Sequence, residues 1–218
     1  MDFGTIGCVG LRGGRTVVVS CDHVLVAGPF VARSRIQLFE ELSFSPQDPI
    51  AQYLGCTLVD EAASVADLAC APILVQPPGD PGRLPNRLPS SGRIRIQGLG
   101  EPREGLGVFL WGAVTRRYIT GTVVEPASRE TLPHPRWGLR AFELQFSIQV
   151  SPARAPQIGD SGGPILTRSG FLVGFLQAGQ SVCRIDAAGN CISYGVPAAE
   201  GLRRLGVRIL LGPEEYLV

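Results

Sequence analysis

The sequence predicts an all-β fold arranged as one or two compact lobes. Three observations carry that expectation. The 28 glycines and 18 prolines fall between short runs rich in β-branched and apolar residues instead of gathering in one block, so the residues that favour turns are spaced as strand punctuation. Only the tail has the pattern of a helix. The stretch Gln76 to Gly92 is dense in proline and glycine and divides the apolar runs into two nearly equal groups; so many prolines cannot serve an interior ladder.

The candidate strands are runs of Val, Ile, Leu, Thr and aromatic residues bounded by turn formers. In the first group they are Thr5 to Leu11, stopped by Gly13 and Gly14; Arg15 to Ser20, with its Val17 to Val19 triplet; Arg33 to Phe39; Ala51 to Val59; and Leu68 to Val75, stopped by Pro77 and Pro78. In the second they are Arg93 to Gln97, Gly107 to Trp111, Ile119 to Glu125, Leu139 to Ser147, Pro164 to Thr167, Phe171 to Ala178 and Cys191 to Val196. Pro197 then opens a helical segment from Ala198 to Leu205, where proline suits the first turn and Gly206 supplies the stop. The expected organisation is a first lobe at 1–78, a linker at 79–92, and a second lobe with the helix at 93–218.

Composition excludes several classes. With 44% hydrophobic residues, 18% charged residues and a formal charge of +1, the chain is neither disordered nor built for a general electrostatic grip on nucleic acid. All 20 basic residues are Arg, which reads as composition and not as phosphate recognition. The apolar runs are strand-length, and the start Met1 to Gly4 has no basic or long apolar region; a soluble, cytoplasmic protein with no membrane partner is expected. The six cysteines contain no Cys-x-x-Cys, so reduced thiols and no metal are the expectation. The exception is Cys183 and Cys191, which flank the turn-like Asp186 to Asn190 and could face each other across a hairpin.

The chemistry concentrates in Gly159-Asp160-Ser161-Gly162-Gly163-Pro164. A serine hydroxyl becomes a nucleophile only when it is exposed at a bend, near a base, with donors waiting for the oxyanion. Gly159 has no Cβ to crowd an incoming carbonyl, so its N–H and that of Ser161 can form an oxyanion hole. The same letters satisfy G-x-S-x-G, the nucleophile elbow of α/β-hydrolases. That arrangement places its histidine after the serine, whereas His23 and His134 both precede Ser161. His23, at the end of an apolar strand, is the candidate general base. His134 lies in Leu132-Pro-His-Pro-Arg-Trp137, whose prolines suggest an exposed loop. Asp67 is the candidate partner that orients the base, because an Asp among apolar strand residues needs a hydrogen-bond partner. Asp22 would point away from its neighbour on an extended chain, and Asp60 falls in a probable turn.

His23, Asp67 and Ser161, in that order and at separations of 44 and 94 residues, resemble the trypsin-like (chymotrypsin-fold) serine peptidases. Gly4 to Val9, Val19 to Leu25, Tyr118 to Val123, Val173 to Gly179 and Tyr194 to Pro197 look most like an intracellular-type bacterial and plant branch that includes the plant narrow-leaf protein. The resemblance implies two perpendicular antiparallel β-barrels, with His23 and Asp67 from the first, Ser161 from the second and the site between them. It implies acyl transfer without a cofactor, on a protein or peptide substrate. Digestive members pair a cleaved N-terminus with the Asp before the nucleophile; here that Asp is Asp160, but only 22 residues precede His23 and no Arg-Ile-Val-Gly-Gly site exists. Activation by clipping is therefore not expected, and restraint by a regulatory protein partner or by narrow specificity is. By the same resemblance, Ala155 takes the position that is acidic in Arg- and Lys-cleaving relatives, Leu176, Gln177, Ala178 and Gly179 form the edge that pairs with substrate, and Ile192 narrows the pocket. A small or neutral residue before the scissile bond follows, with Asp186 the residue that would upset it. A catalytically inactive binding module and an esterase remain the alternatives on this fold.

Overall fold

Strands form where the turn residues leave room for them. The computed structural model describes residues 4–25, 35–36, 51–52, 55–59, 64–73, 96–112, 114–115, 117–178, 184–211 and 216–217. In chain order its elements are β1 (Cys8–Arg12), β2 (Arg15–Ser20), α1 (Asp22–Leu25), β3 (Arg35–Ile36), β4 (Ala51–Gln52), β5 (Cys56–Val59), β6 (Ser64–Pro72), β7 (Gly98–Leu99) and β8 (Gly107–Trp111). There follow β9 (Tyr118–Glu125), β10 (Thr131–His134), β11 (Gly138–Ala141), β12 (Phe146–Val150), β13 (Pro164–Thr167), β14 (Phe171–Ala178), β15 (Arg184–Ile185), β16 (Cys191–Pro197), α2 (Ala198–Leu205), β17 (Arg208–Leu210) and β18 (Tyr216–Leu217).

Two large sheets organise most of these strands, with β3–β4 and β10–β11 as separate two-stranded pairs. The first has the order β18-β17-β1-β2-β6-β5. In the second, β16, β12, β9, β8, β13 and β14 follow one another, and a further pairing of β14 with β16 closes the ring. Closure removes the open edges that an isolated sheet would expose. Val108, Leu110, Ile119, Phe146, Ile148, Ile165 and Val173 fill one core cluster of this second barrel, with Ala155 and Cys191 against them. A second cluster joins the two sheets, running from Val17, Val19 and Leu68 to Trp111, Leu172, Phe175 and Val196.

The tail carries a helix and a further strand. The helix runs over Ala198–Leu205 and ends at Gly206, whose φ of 66° is the left-handed cap that glycine adopts without strain. Its buried Leu202 and Leu205 pack with Val17 and Leu68, and β17 behind it pairs with β1. The C-terminal segment thus joins the first sheet through β17.

Two local elements depart from the sequence reading. His23 sits not at a strand end but in α1, one turn of helix immediately after β2. The segment around His134 is not an exposed loop: β10 pairs with β11, with Pro133 opposite Leu139 in this two-stranded hairpin, where a missing N–H costs little. Leu139 to Ser147, expected as one strand, is split between β11 and β12. Cys8, Cys21, Cys56 and Cys70 are free thiols, while Cys191 is disulfide-bonded; Cys183, its expected partner, lies outside the described residues, as do Asp60, Gly179 and the 79–92 linker.

Candidate active site

Asp67 lies in the middle of β6, buried beside Ala66 and Leu68. Strand β6 pairs with β2, setting Val19 against Cys70 and Ser20 against Ala69, so the turn that leaves β2 passes over Asp67. That turn is α1. Its His23 offers Asp67 two donors: the backbone N–H reaches Oδ1 at 3.1 Å and the ring Nδ1 lies 2.6 Å from Oδ2. The shorter contact fixes the tautomer. With its proton on Nδ1, the neutral ring leaves Nε2 as the basic nitrogen.

Charge follows from this geometry. Burial opposes ionisation of Asp67, but His23 and His134 outweigh it and hold the carboxyl well below its ordinary range. Burial likewise opposes a charged His23; the charge and hydrogen bond of Asp67 prevail and raise its basicity.

Ser161 is held to this wall by a staple from the N-terminal segment. Thr5 donates its N–H to the Ser161 carbonyl at 2.8 Å and its hydroxyl to the Gly159 carbonyl at 3.0 Å. Its own carbonyl accepts from the Ser20 hydroxyl at 2.6 Å. Contact between the Ser161 turn and the end of β2 is so close that a Cβ on Gly162 would lie 1.9 Å from Ser20 Oγ. Gly159 has φ 96°, a conformation reserved for glycine. Among the described residues, the N–H groups of Gly159 and Ser161 donate to no protein acceptor.

No family model matches the sequence, and no curated protein matches it. Solved structures do. Thermobifida fusca protease A superimposes with a TM-score of 0.64 at 17% identity, covering 97% of this chain and 94% of that one. A glutamic-acid-specific serine protease gives 0.64 at 15%, with coverages of 94% and 92%. Cellulomonas bogoriensis chymotrypsin gives 0.56 at 15%, with coverages of 97% and 100%.

The fold is that of the chymotrypsin-like serine proteases.

Within this chymotrypsin-like frame, Asp160 is fully buried and its carboxylate is met by backbone donors. Its Oδ1 accepts the N–H groups of Val114 and Thr115, both at 3.0 Å, and its Oδ2 accepts that of Gln157 at 2.9 Å. Gly112 makes room for the carboxylate, since a Cβ there would fall 2.1 Å from Oδ1.

The remaining predicted positions are spread over two clusters. Ala155 is buried against the second barrel's core, whereas Ile192 packs with Tyr194, Leu132, Phe142 and Val59. Gln177 is buried and accepts from Gln145 Nε2 at 2.9 Å. Ala178 pairs with Tyr194 across β14 and β16. Cys21, His23 and Asp67 bring a sulfur, a nitrogen and an oxygen within 4.8 Å of one another. These atoms are already engaged, because Nδ1 and Oδ2 bond each other and the Cys21 thiol donates to the Leu176 carbonyl at 3.2 Å. Burial and the nearby Asp67 push that thiol far up, away from the thiolate a metal would require.

Sequence reading missed two participants. His134 is 3% exposed, and its Nε2 lies 3.3 Å from Asp22 Oδ2 and 3.6 Å from Asp67 Oδ1. Asp22 is itself fully buried. The flanking prolines hid the signal, which was the alternation Thr131, Leu132, Pro133, His134 with Leu132 and His134 facing inward.

An acid-stability profile follows from the carboxylates. Asp67 titrates below its ordinary range when folded, and Glu200, clasped by Arg203 and Arg204, is lowered from 4.5 to about 2. Depressed folded-state values stabilise the native chain above the unfolded values and are lost as pH falls through the folded ones. Melting temperature in the Ser161→Ala variant is therefore expected to fall steadily as pH drops from 4.5 towards 2; a flat profile would contradict these assignments.

Proposed function

We propose that the protein is a serine endopeptidase. Ser161 attacks the substrate carbonyl, His23 Nε2 takes the proton and returns it to the leaving amine, and water releases the acyl group from Ser161 by the same route in reverse. Asp67 orients the imidazole and stabilises its charged form. The N–H groups of Gly159 and Ser161 receive the oxyanion. The observation that carries this reading is the 2.6 Å contact of His23 with Asp67, on the wall to which Thr5 staples the Ser161 turn. Because Asp160 takes three backbone donors from its own surroundings, the turn is set without proteolytic activation.

The proposed substrate is a protein or peptide bound in extended form. Among the described residues β14 pairs with β13 only as far as Phe175, and Gln177 falls in a bulge before Ala178 pairs with Tyr194 of β16; an open edge of this kind suits an added strand. The preferred residue before the cleaved bond is small or neutral. Ala155 brings no charge to its position, and Asp186 is occupied by the N–H groups of Ala188 and Asn190 and by the Gln149 amide. The lobes at 1–78 and 93–218 with a 79–92 linker, and kinship to the branch containing the narrow-leaf protein, rest on the sequence segments alone. A regulatory protein partner or narrow specificity would restrain such an enzyme. Among the described residues no helix is long and apolar enough to cross a membrane. The disulfide at Cys191 favours an oxidising compartment over the cytoplasmic location that the sequence suggested.

Digestion of an unfolded protein mixture, with new N-termini mapped by mass spectrometry, tests the reading. Wild type is expected to cleave after small or neutral residues, and Ser161→Ala not at all. Cleavage mainly after Arg would overturn the specificity. Absence of cleavage with turnover of simple esters would make the protein an esterase.

A further inference from the structure

The endopeptidase reading uses one histidine, yet the structure buries a second behind it. The β10–β11 hairpin and the segment that follows it are anchored across the site. Glu143 and Leu144 both donate backbone N–H groups to the Val65 carbonyl, two residues before Asp67, at 3.1 and 2.8 Å. His134 is thereby set beside Asp67, clasped by the Trp137 ring at 4.6 Å and with Phe142 at 6.4 Å, and its ring stands edge-on to His23 at 6.2 Å.

Its orientation is legible from its hydrogen bonds. The backbone N–H of Arg136 donates to Nδ1 at 3.2 Å, so the proton of the neutral ring is on Nε2. That nitrogen faces two carboxylates, Asp22 Oδ2 at 3.3 Å and Asp67 Oδ1 at 3.6 Å. Among the described residues neither Asp22 oxygen receives an aligned hydrogen bond and His134 Nε2 makes none, so the three buried groups meet by proximity of charge and donor, with Asp22 fully buried. A buried carboxylate beside a second one is costly unless a donor is shared between them.

We propose that His134 is a positioning residue of the site. It is a second histidine whose Nε2–H lies between Asp22 and Asp67 and keeps Asp67 directed at His23. The carboxylates favour its protonation, lifting its pKa to about 9 against the effect of burial, while the Arg136 N–H opposes a second ring proton. Both forms keep Nε2–H within 3.6 Å of Asp67 Oδ1. Among the described residues the charged and titratable groups facing it are Asp22 and His23 from α1 and Asp67 from β6, with the Cys21 thiol close to that carboxylate. On its own hairpin Arg136 lies over Trp137, 4.4 Å from the ring centre.

This inference rests on the endopeptidase reading, and the test separates the two. His134→Phe keeps an aromatic ring against Trp137 and removes the donor. The expected result is a fall in kcat of between about 10-fold and 100-fold with KM unchanged, the scale of a misplaced catalytic group. The acid limb of kcat/KM should also move to higher pH, because Asp22 and Asp67 then act undiluted on the His23 imidazolium. His134→Gln, which retains an N–H donor, should recover part of kcat, and adding Asp22→Asn to His134→Phe should bring the acid limb back down. A packing role would lower stability and leave the acid limb in place. An unmoved acid limb with full kcat overturns the proposal while leaving the peptidase reading intact; a wild type that neither labels with a fluorophosphonate nor cleaves peptides removes both. Should His134→Phe fail to fold, nitrogen-detected NMR of the wild type decides, since a His134 ring with no proton on Nε2 overturns the assignment.

Discussion

Replacing Asp67 with Asn is expected to lower kcat about ten-thousand-fold while the chain stays folded. The reason lies in which atom the amide must present. One carboxylate oxygen of Asp67 receives the His23 backbone N–H at 3.1 Å and the other faces the ring at 2.6 Å. An asparagine satisfies the backbone donor with its oxygen and therefore turns its NH2 towards Nδ1. That nitrogen must then accept, the ring proton moves to Nε2, and the base has no lone pair for the Ser161 proton. Loss of the negative charge also lowers the basicity of His23, so the acid limb of the residual activity shifts to lower pH, opposite in sign to the shift expected for His134→Phe. Steady-state kinetics across pH on the Asn variant checks both. A loss below tenfold would mean that Asp67 does not orient the base.

The second large effect is expected at Asp160. Its three backbone donors use both oxygens, so Asp160→Asn must set an NH2 against at least one N–H in a fully buried place. Leaving a buried donor unsatisfied costs about 1–3 kcal/mol. The turn it loosens carries both proposed oxyanion donors, one on either side of residue 160, and loss of a single such donor lowers kcat about 100-fold to 1000-fold. Gly112→Ala should reproduce the defect from the other side, because the new Cβ would lie 2.1 Å from the carboxylate. Both variants should lose kcat more than substrate affinity. Full activity in either would show that Asp160 only fills space.

Much of this was legible in the sequence because local chemistry decided it. Arg15 to Ser20, Gly107 to Trp111, Pro164 to Thr167 and Phe171 to Ala178 are strands with the bounds their turn residues set. The α2 helix runs from Ala198, just after Pro197, to its Gly206 stop for the same reason. What stayed hidden depended on distant partners. The short helix carrying His23 cannot be told from a strand end by four residues of sequence, and β17 is a strand only because β1 lies open to it. Proline on both sides of His134 argues for exposure, whereas an edge hairpin tolerates Pro133 and buries its neighbour against Asp22 and Asp67. An extended chain would turn Asp22 away from the site, but α1 is helical there.

The central claim is that Ser161 is a nucleophile activated by His23. Locating the adduct formed by a fluorophosphonate probe, and timing its formation, tests this most directly. The account predicts one adduct, on Ser161, absent in Ser161→Ala and formed roughly a thousandfold more slowly in His23→Ala. An adduct on another residue, or labelling of Ser161 at an undiminished rate without His23, would contradict it.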